Sequence, residues 1–355
     1  MIKIAFTGDI MLDRRVGEKL GNKPGFKIVN NELDFFLNEH DFVVGNLECP
    51  VSNNAQKWKS TGFKANPISL LQLSSFDLFS LANNHIFDCG KKGAADTIQD
   101  ILQNKQQFTG LVNQANKNAF YKTTVKNKTF SFLSCALYEC IKDPDNKEYP
   151  RVLEAENTEV LSRIKKGKAS SNYVIVLVHG GDEMISYPKP NLRNLCESYI
   201  DLGADVVITH HPHVLGGVHH YKNKYIFYSL GDFIFDGESY LRRRGLVVSI
   251  NFDENNISHQ VLPTQIKNDL SVGLPNKQVK SITELKWNKI SNIIQKDKKY
   301  NSKYKRRYIY SLILFQFDRL SFLLKYKGIF YLLKFILKKV SLLPFYFKKV
   351  ISKNT

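Results

Sequence analysis

Five apolar runs in this chain each end in a side chain of the kind that holds metal ions, and few folds can use such an arrangement. "IKIAFTGD" ends at Asp9, "DFVVGNLE" at Glu48, "FDLFSLANNH" at Asn84 and His85, "NYVIVLVH" at His179, and "DVVITHHPH" in a cluster of three of the nine histidines, His210, His211 and His213. Helical-period stretches such as "NELDFFLNEH", "GKKGAADTIQDILQNKQ" and "KPNLRNLCESYIDLGA" lie between them. Strands alternating with helices predict an α/β chain with a largely parallel sheet. In such sheets ligands bind in the crevice outside the carboxyl ends of the strands, so residues spread from position 9 to position 213 can converge. One such residue alone is weak evidence, because an Asp after a strand is commonly a helix cap. The repetition carries the argument.

The donor set is chemically specific. Two carboxylates, an Asn carbonyl and three imidazoles form an O/N set without thiolate, suited to Mn, Fe or Zn and numerous enough for one or two divalent ions. Two ions roughly 3.5 to 4 Å apart share a bridging carboxylate and hydroxide, which supplies a nucleophile at neutral pH. The five cysteines, Cys49, Cys89, Cys135, Cys140 and Cys196, are odd in number and form no C-x-x-C pair, so reduced, packed thiols are expected rather than a disulfide framework or a thiolate site.

Elsewhere the grammar changes. "AFYKTTVKNKTFSFLSCALY" reads as a hairpin around "KNK", "KYIFYSLGDFIFD" and "GLVVSINFDENNISHQVL" as antiparallel strands, and "PISLLQLSS" as a helix. His219 and His220 read as surface residues. "MIKIAFTGDIML" begins at once as a strand, so no export leader is expected there.

The blocks "FTGDIMLDR", "GNLECPVS", "LANNHIFDCG", "VHGGDE", "ITHHPHVLGG" and "FYSLGDFIFD", in this order, resemble the bacterial capsule-synthesis CapA (poly-γ-glutamate biosynthesis) family, a branch of the calcineurin-like metallophosphoesterase superfamily. The resemblance implies a four-layer αββα sandwich of two facing mixed sheets with the metal site at one edge. It implies Asp9 and His213 on one metal, Glu48 bridging, Asn84, His179 and His211 on the second, and His85 as general acid. Three departures from the wider superfamily stand out: Met11 occupies a position usually held by His; "GNLE" replaces a Gly-Asp pair, so Asn46 or Glu48 must reach instead; and Asp232 stands where the family more often has Asn. Asp232 is expected either to complete the first site or to orient an imidazole. Asp13 and Arg14 are candidates for substrate contact, Asp88 for bracing His85 or capping the next helix, His210 for the periphery of the site, and Arg242 to Arg244 for an anionic substrate.

Charge divides the chain. From Ser281 to Thr355 there are 18 Lys and Arg against 3 acidic residues, a net of +15 out of +18 overall. Residues 1–270 are therefore read as the catalytic-type domain and 271–355 as a basic, aromatic-rich helical tail. Charges interrupt the tail too often for the ~18 apolar residues that a spanning helix needs. In "LKYKGIFYLLKFILKK", Lys327, Lys334 and Lys338 share a helical face, with Phe330, Leu333 and Leu337 elsewhere on the wheel. The pattern predicts a helix lying in an anionic membrane surface, where each Lys contributes ~1 kcal/mol. A helical hairpin packed on the domain, or docking on a partner, is the competing reading. The apolar content argues against nucleic acid.

Two functions fit. One is a metal-dependent hydrolase of capsule, poly-γ-glutamate or other envelope-polymer biosynthesis, using metal-bound hydroxide on a phosphoester or related bond of a polymer precursor. The other is a non-catalytic polymer- or metal-binding subunit of a capsule synthesis and export assembly. A cytoplasmic protein, peripheral at the inner face of the cell membrane, is expected in either case.

Overall fold

Alternation along the first strand sets the layers. In the computed structural model, which describes residues 1–23, 25–112, 120–142, 149–254 and 256–341, Ile2, Ile4 and Phe6 of β1 (Ile2–Ile10) are buried between two sheets, whereas Ala5 packs with the helical layer. The strands that follow are β2 (Phe42–Leu47), β3 (Leu78–Ser80), β4 (Gln107–Thr109), β5 (Leu111–Val112), β6 (Phe120–Val125), β7 (Lys128–Ala136), β8 (Arg151–Val152), β9 (Tyr173–His179), β10 (Val206–His210), β11 (Val218–Tyr221), β12 (Lys224–Tyr228), β13 (Asp232–Ile234), β14 (Arg244–Phe252), β15 (Ile257–Ile266) and β16 (Val272–Gly273). The helices are α1 (Arg14–Asn22), α2 (Asn31–Asn38), α3 (Gly90–Gln103), α4 (Thr158–Ser170), α5 (Pro190–Asp201), α6 (Lys277–Lys296) and α7 (Tyr300–Ser341).

One sheet runs β16-β15-β14-β1-β2-β3-β4 with β13 also on β1; the other runs β11-β12-β10-β9-β7-β6. Both are mixed. β1 to β4 are mutually parallel while β14 to β16 are antiparallel, and β7, β9, β10 and β12 are parallel between antiparallel edge strands. Phe6, Val44, Phe130, Phe132, Leu177 and Ile208 fill the space between them. Helices α2 and α3 lie on the first sheet and α4 and α5 on the second, which makes a four-layer αββα sandwich.

Three readings need correction. "KYIFYSLGDFIFD" does not form an antiparallel pair: β12 lies parallel to β10 in one sheet and β13 parallel to β1 in the other. The chain crosses between sheets at Ser229 and Gly231, both with positive φ (55° and 74°), a backbone that only the glycine adopts without strain. "PISLLQLSS" forms a single 3-10 segment, Pro67–Leu73. The basic C-terminal segment does not begin as an appendage. Trp287, Ile290 and Ile294, spaced three and four apart on α6, are buried in the core, and α6 lies across β11 and β15, one strand from each sheet.

Helix α7, kinked at Gly328, begins docked as well. Tyr300 donates to the Pro188 carbonyl and Tyr304 to Asp182, each at 2.8 Å. Farther on, Asp318 accepts from the Leu241 backbone, and Phe322 packs against Tyr240 beneath the Arg243 guanidinium. The side chains of Phe330, Leu333, Lys334, Leu337 and Lys338 lie outside the described residues, so that part of the expected amphipathic pattern is not placed. Among the described residues, no helix is long and apolar enough to cross a membrane.

Candidate metal centre

The carboxyl ends of the two sheets bring the site together. Gly8 has no room for a Cβ, which would lie 2.0 Å from the Gly231 carbonyl oxygen. That close approach sets β13 beside β1 and places Asp232 next to Asp9, while β2 places Asn46 on the other side of Asp9. In the second sheet β9 and β10 pair His179 with His210. The turn after β10 delivers His211 and His213 with φ of 100° and 57°, strained values for residues with a Cβ and of the kind that cluster at functional sites.

Two groups of ligand atoms result, each lying within 4.8 Å: Glu48, His179 and His211; and Asp9, His213 and Asp232, all buried. Glu48 sits between them, its Oε1 being 3.5 Å from His213 Nε2 and 3.8 Å from His179 Nε2. Asn84 Oδ1 is 2.9 Å from His179 Nε2. With the amide turned over, its nitrogen instead donates to Glu48 (3.1 Å) and its oxygen accepts from His85 and Lys142. Asn46 donates to Asp9 at 2.8 Å. His210 Nδ1 stands 3.2 Å from Asp9.

The donors fit a divalent ion. Glu48 Oε2, His211 Nδ1 and Asn46 Oδ1 are buried without a hydrogen-bond partner, a costly condition that native interiors avoid unless something else engages the atom. The charges are strained in the same way. Burial drives the Glu48 carboxyl well above its ordinary range, with Asp9 and Asp232 adding to the rise. Burial beside the other imidazoles pushes His179 well down and His211 to about 4. Burial opposes ionisation of Asp9 and His213 too, but there the ion pairs win: His210 and His213 hold Asp9 low, and Glu48 and Asp232 hold His213 high.

Asp232 faces both expected ways. Its Oδ1 takes the Nδ1 of His213 (2.8 Å) and its Oδ2 takes Arg242 Nε (3.1 Å), which leaves His213 Nε2 directed at Glu48. Met11 contributes no ligand: it is fully buried, and its sulfur accepts from the Asp13 amide.

His85 stands at the rim, with Nδ1 2.6 Å from Asp88 Oδ2 and Nε2 4.0 Å from Glu48. Burial lowers its pKa and Asp88 pulls it back up. Phe63 and Phe235 pack on His85 and His213 respectively. The Arg14 guanidinium lies over both rings and pairs with Asp236; Arg242 lies over Phe235. Asp13 is held by Lys57 and the Lys64 amide, away from the ligand atoms. Lys142 and Phe63 carried no signal in the sequence, since they approach the site only through tertiary packing; Phe235 lies in the block "FYSLGDFIFD", but its packing on His213 does not show there. His219, expected at the surface, is buried against Arg193 because the pleat of β11 turns it inward.

Residues 3–237 match the family described as bacterial capsule synthesis protein PGA_cap. A capsule biosynthesis protein CapA of Bacillus anthracis is 32% identical over 250 residues, covering 66% of this chain and 60% of its own length. A PGA biosynthesis protein CapA of Bacillus subtilis is 28% identical over 286 residues, 76% of this chain and 75% of its own. Among solved structures, a Thermus thermophilus sulfate thiohydrolase, SoxB, is similar at a TM-score of 0.44 and 11% identity, covering 81% of this chain and 60% of that one. By the match over residues 3–237, the chain belongs to the bacterial capsule synthesis protein PGA_cap family.

Proposed function

We propose that this chain is a metal-dependent hydrolase of capsule or related envelope-polymer biosynthesis, acting on a phosphoester or similar bond of a polymer precursor. The observation that carries this reading is the pair of buried ligand groups meeting at Glu48 beside a rim histidine. The names of the relatives support the capsule setting, and poly-γ-glutamate is a candidate polymer. Asp9, His213 and Asp232 would hold one ion, and Glu48, Asn84, His179 and His211 the other. When bound, a divalent ion supplies Lewis acidity and a hydroxide nucleophile at neutral pH.

The chain's own residues do the rest. Asp88 accepts a hydrogen bond from Nδ1 of His85, so in the protonated ring Nε2 is the nitrogen that faces the site and hands its proton to the leaving group, leaving the neutral ring with its proton on Nδ1. Asn46 keeps Asp9 from rotating. Arg14 and Arg242, held on aromatic faces, present guanidinium forks to an anionic substrate.

The test is elemental analysis of protein prepared without chelators, together with hydrolysis of bis-p-nitrophenyl phosphate. One or two equivalents of Mn, Fe or Zn and measurable turnover are expected, both lost in His211→Ala. Less than about a tenth of an equivalent after reloading overturns the centre. Metal held without turnover of any phosphoester overturns the hydrolase and leaves the binding subunit.

A further inference from the structure

Helix α7 has two unlike faces. On one, Ser311, Phe315 and Phe322 are buried and Asp318 is bonded inward to the Leu241 backbone. On the other, Tyr310, Ile313, Phe317 and Leu324 follow at spacings of three, four and seven, which align on a helix. All four stand in solvent, with Phe317 68% exposed. Arg306 lies on the same side of the helix as this stripe by spacing, and from Tyr300 to Ser341 the helix carries ten Lys and Arg against the single acid Asp318.

We propose that this outer face of α7 docks on an anionic lipid bilayer, with the aromatic and aliphatic stripe entering the interface and the flanking cations meeting the headgroups. Charge decides the occupant. A second copy of the chain would set two strongly cationic helices face to face, whereas an anionic surface complements them and accepts the apolar stripe at once. The inner face of the same helix, through Phe315 and Arg319, walls a cavity of about 350 Å³ with Arg14, Glu183, Asp236 and Arg242. Docking therefore holds the cleft beside the metal centre close to the headgroup layer, where it would meet a lipid-linked or emerging polymer. The docking itself does not rest on the hydrolase reading.

Sedimentation of the full chain with vesicles of phosphatidylcholine, alone or mixed with phosphatidylglycerol, tests it. Binding to the mixed vesicles at least about tenfold stronger than to neutral ones is expected, and Ile313→Asp with Phe317→Asp should lose it about tenfold with an unchanged thermal melt. His211→Ala should bind vesicles as the parent does, which separates this proposal from the metal centre. Equal binding to both vesicle types, no binding, a double variant that binds like the parent, or loss of binding in His211→Ala overturns it. So does a solution dimer that the double variant splits and that ignores vesicles.

Discussion

His85 differs from the other site histidines in what it touches. Asp88 takes its Nδ1, and its Nε2 points toward Glu48 from 4.0 Å, at the rim rather than among the ligand atoms. His85→Ala should therefore leave metal content nearly unchanged, by elemental analysis, while lowering turnover ~10²-fold or more, the usual scale for a general acid. Equal loss of metal would move His85 into the coordination set. His219 gives a prediction away from the site. Burial, with Arg193 adding to it, lowers its pKa from 6.5 to about 4. The unfolded chain takes up this proton near 6.5 and the folded chain only near 4, so acidification between those values favours unfolding, by at most about 1.4 kcal/mol per pH unit. His219→Gln should flatten the fall of melting temperature between pH 6.5 and pH 4. The residues that end strands were legible in the sequence because a strand announces its own end, and β1, β2, β9 and β10 did so. Lys142, Phe63, the packing of Phe235 and the burial of His219 were not, because each depends on which segment folds over which.

Among the elements, α6 shows how composition can hide packing. Its charges and its place in a basic segment read as part of a basic helical tail, yet Trp287, Ile290 and Ile294 repeat at core spacing and close the sandwich across β11 and β15. Ile294→Ala should cost about 2 to 5 kcal/mol in denaturant unfolding, the range for emptying a fully buried site. Leu285→Ala, at an exposed position of the same helix, should change stability by under about 0.5 kcal/mol. A chain ending near Lys280 would bare the same surface and aggregate. The hairpin of β6 and β7 was legible from its local turn. The split of β12 and β13 between two sheets was not, since a positive-φ break at Ser229 and Gly231 looks in sequence like any hairpin turn.

At the scale of the molecule, two sheets meet along Phe6, Phe130, Phe132 and Ile208, and the site forms where their carboxyl ends coincide. Neither sheet alone holds a complete ligand group around Glu48, so assembly of the centre requires the sandwich to close. The five cysteines record that closure. All are free and buried, and burial raises every thiol, Cys135 and Cys140 to about 12. They sit in both halves of the fold: Cys49 and Cys89 in the loops after β2 and β3, Cys135 on β7, Cys140 just after it, and Cys196 on α5. A thiol reagent such as DTNB should find almost nothing to react with in the native protein and five groups in the denatured one. The rate at which each becomes labelled under native conditions then measures how often its own half of the sandwich opens, so the chain carries a set of internal clocks for its breathing.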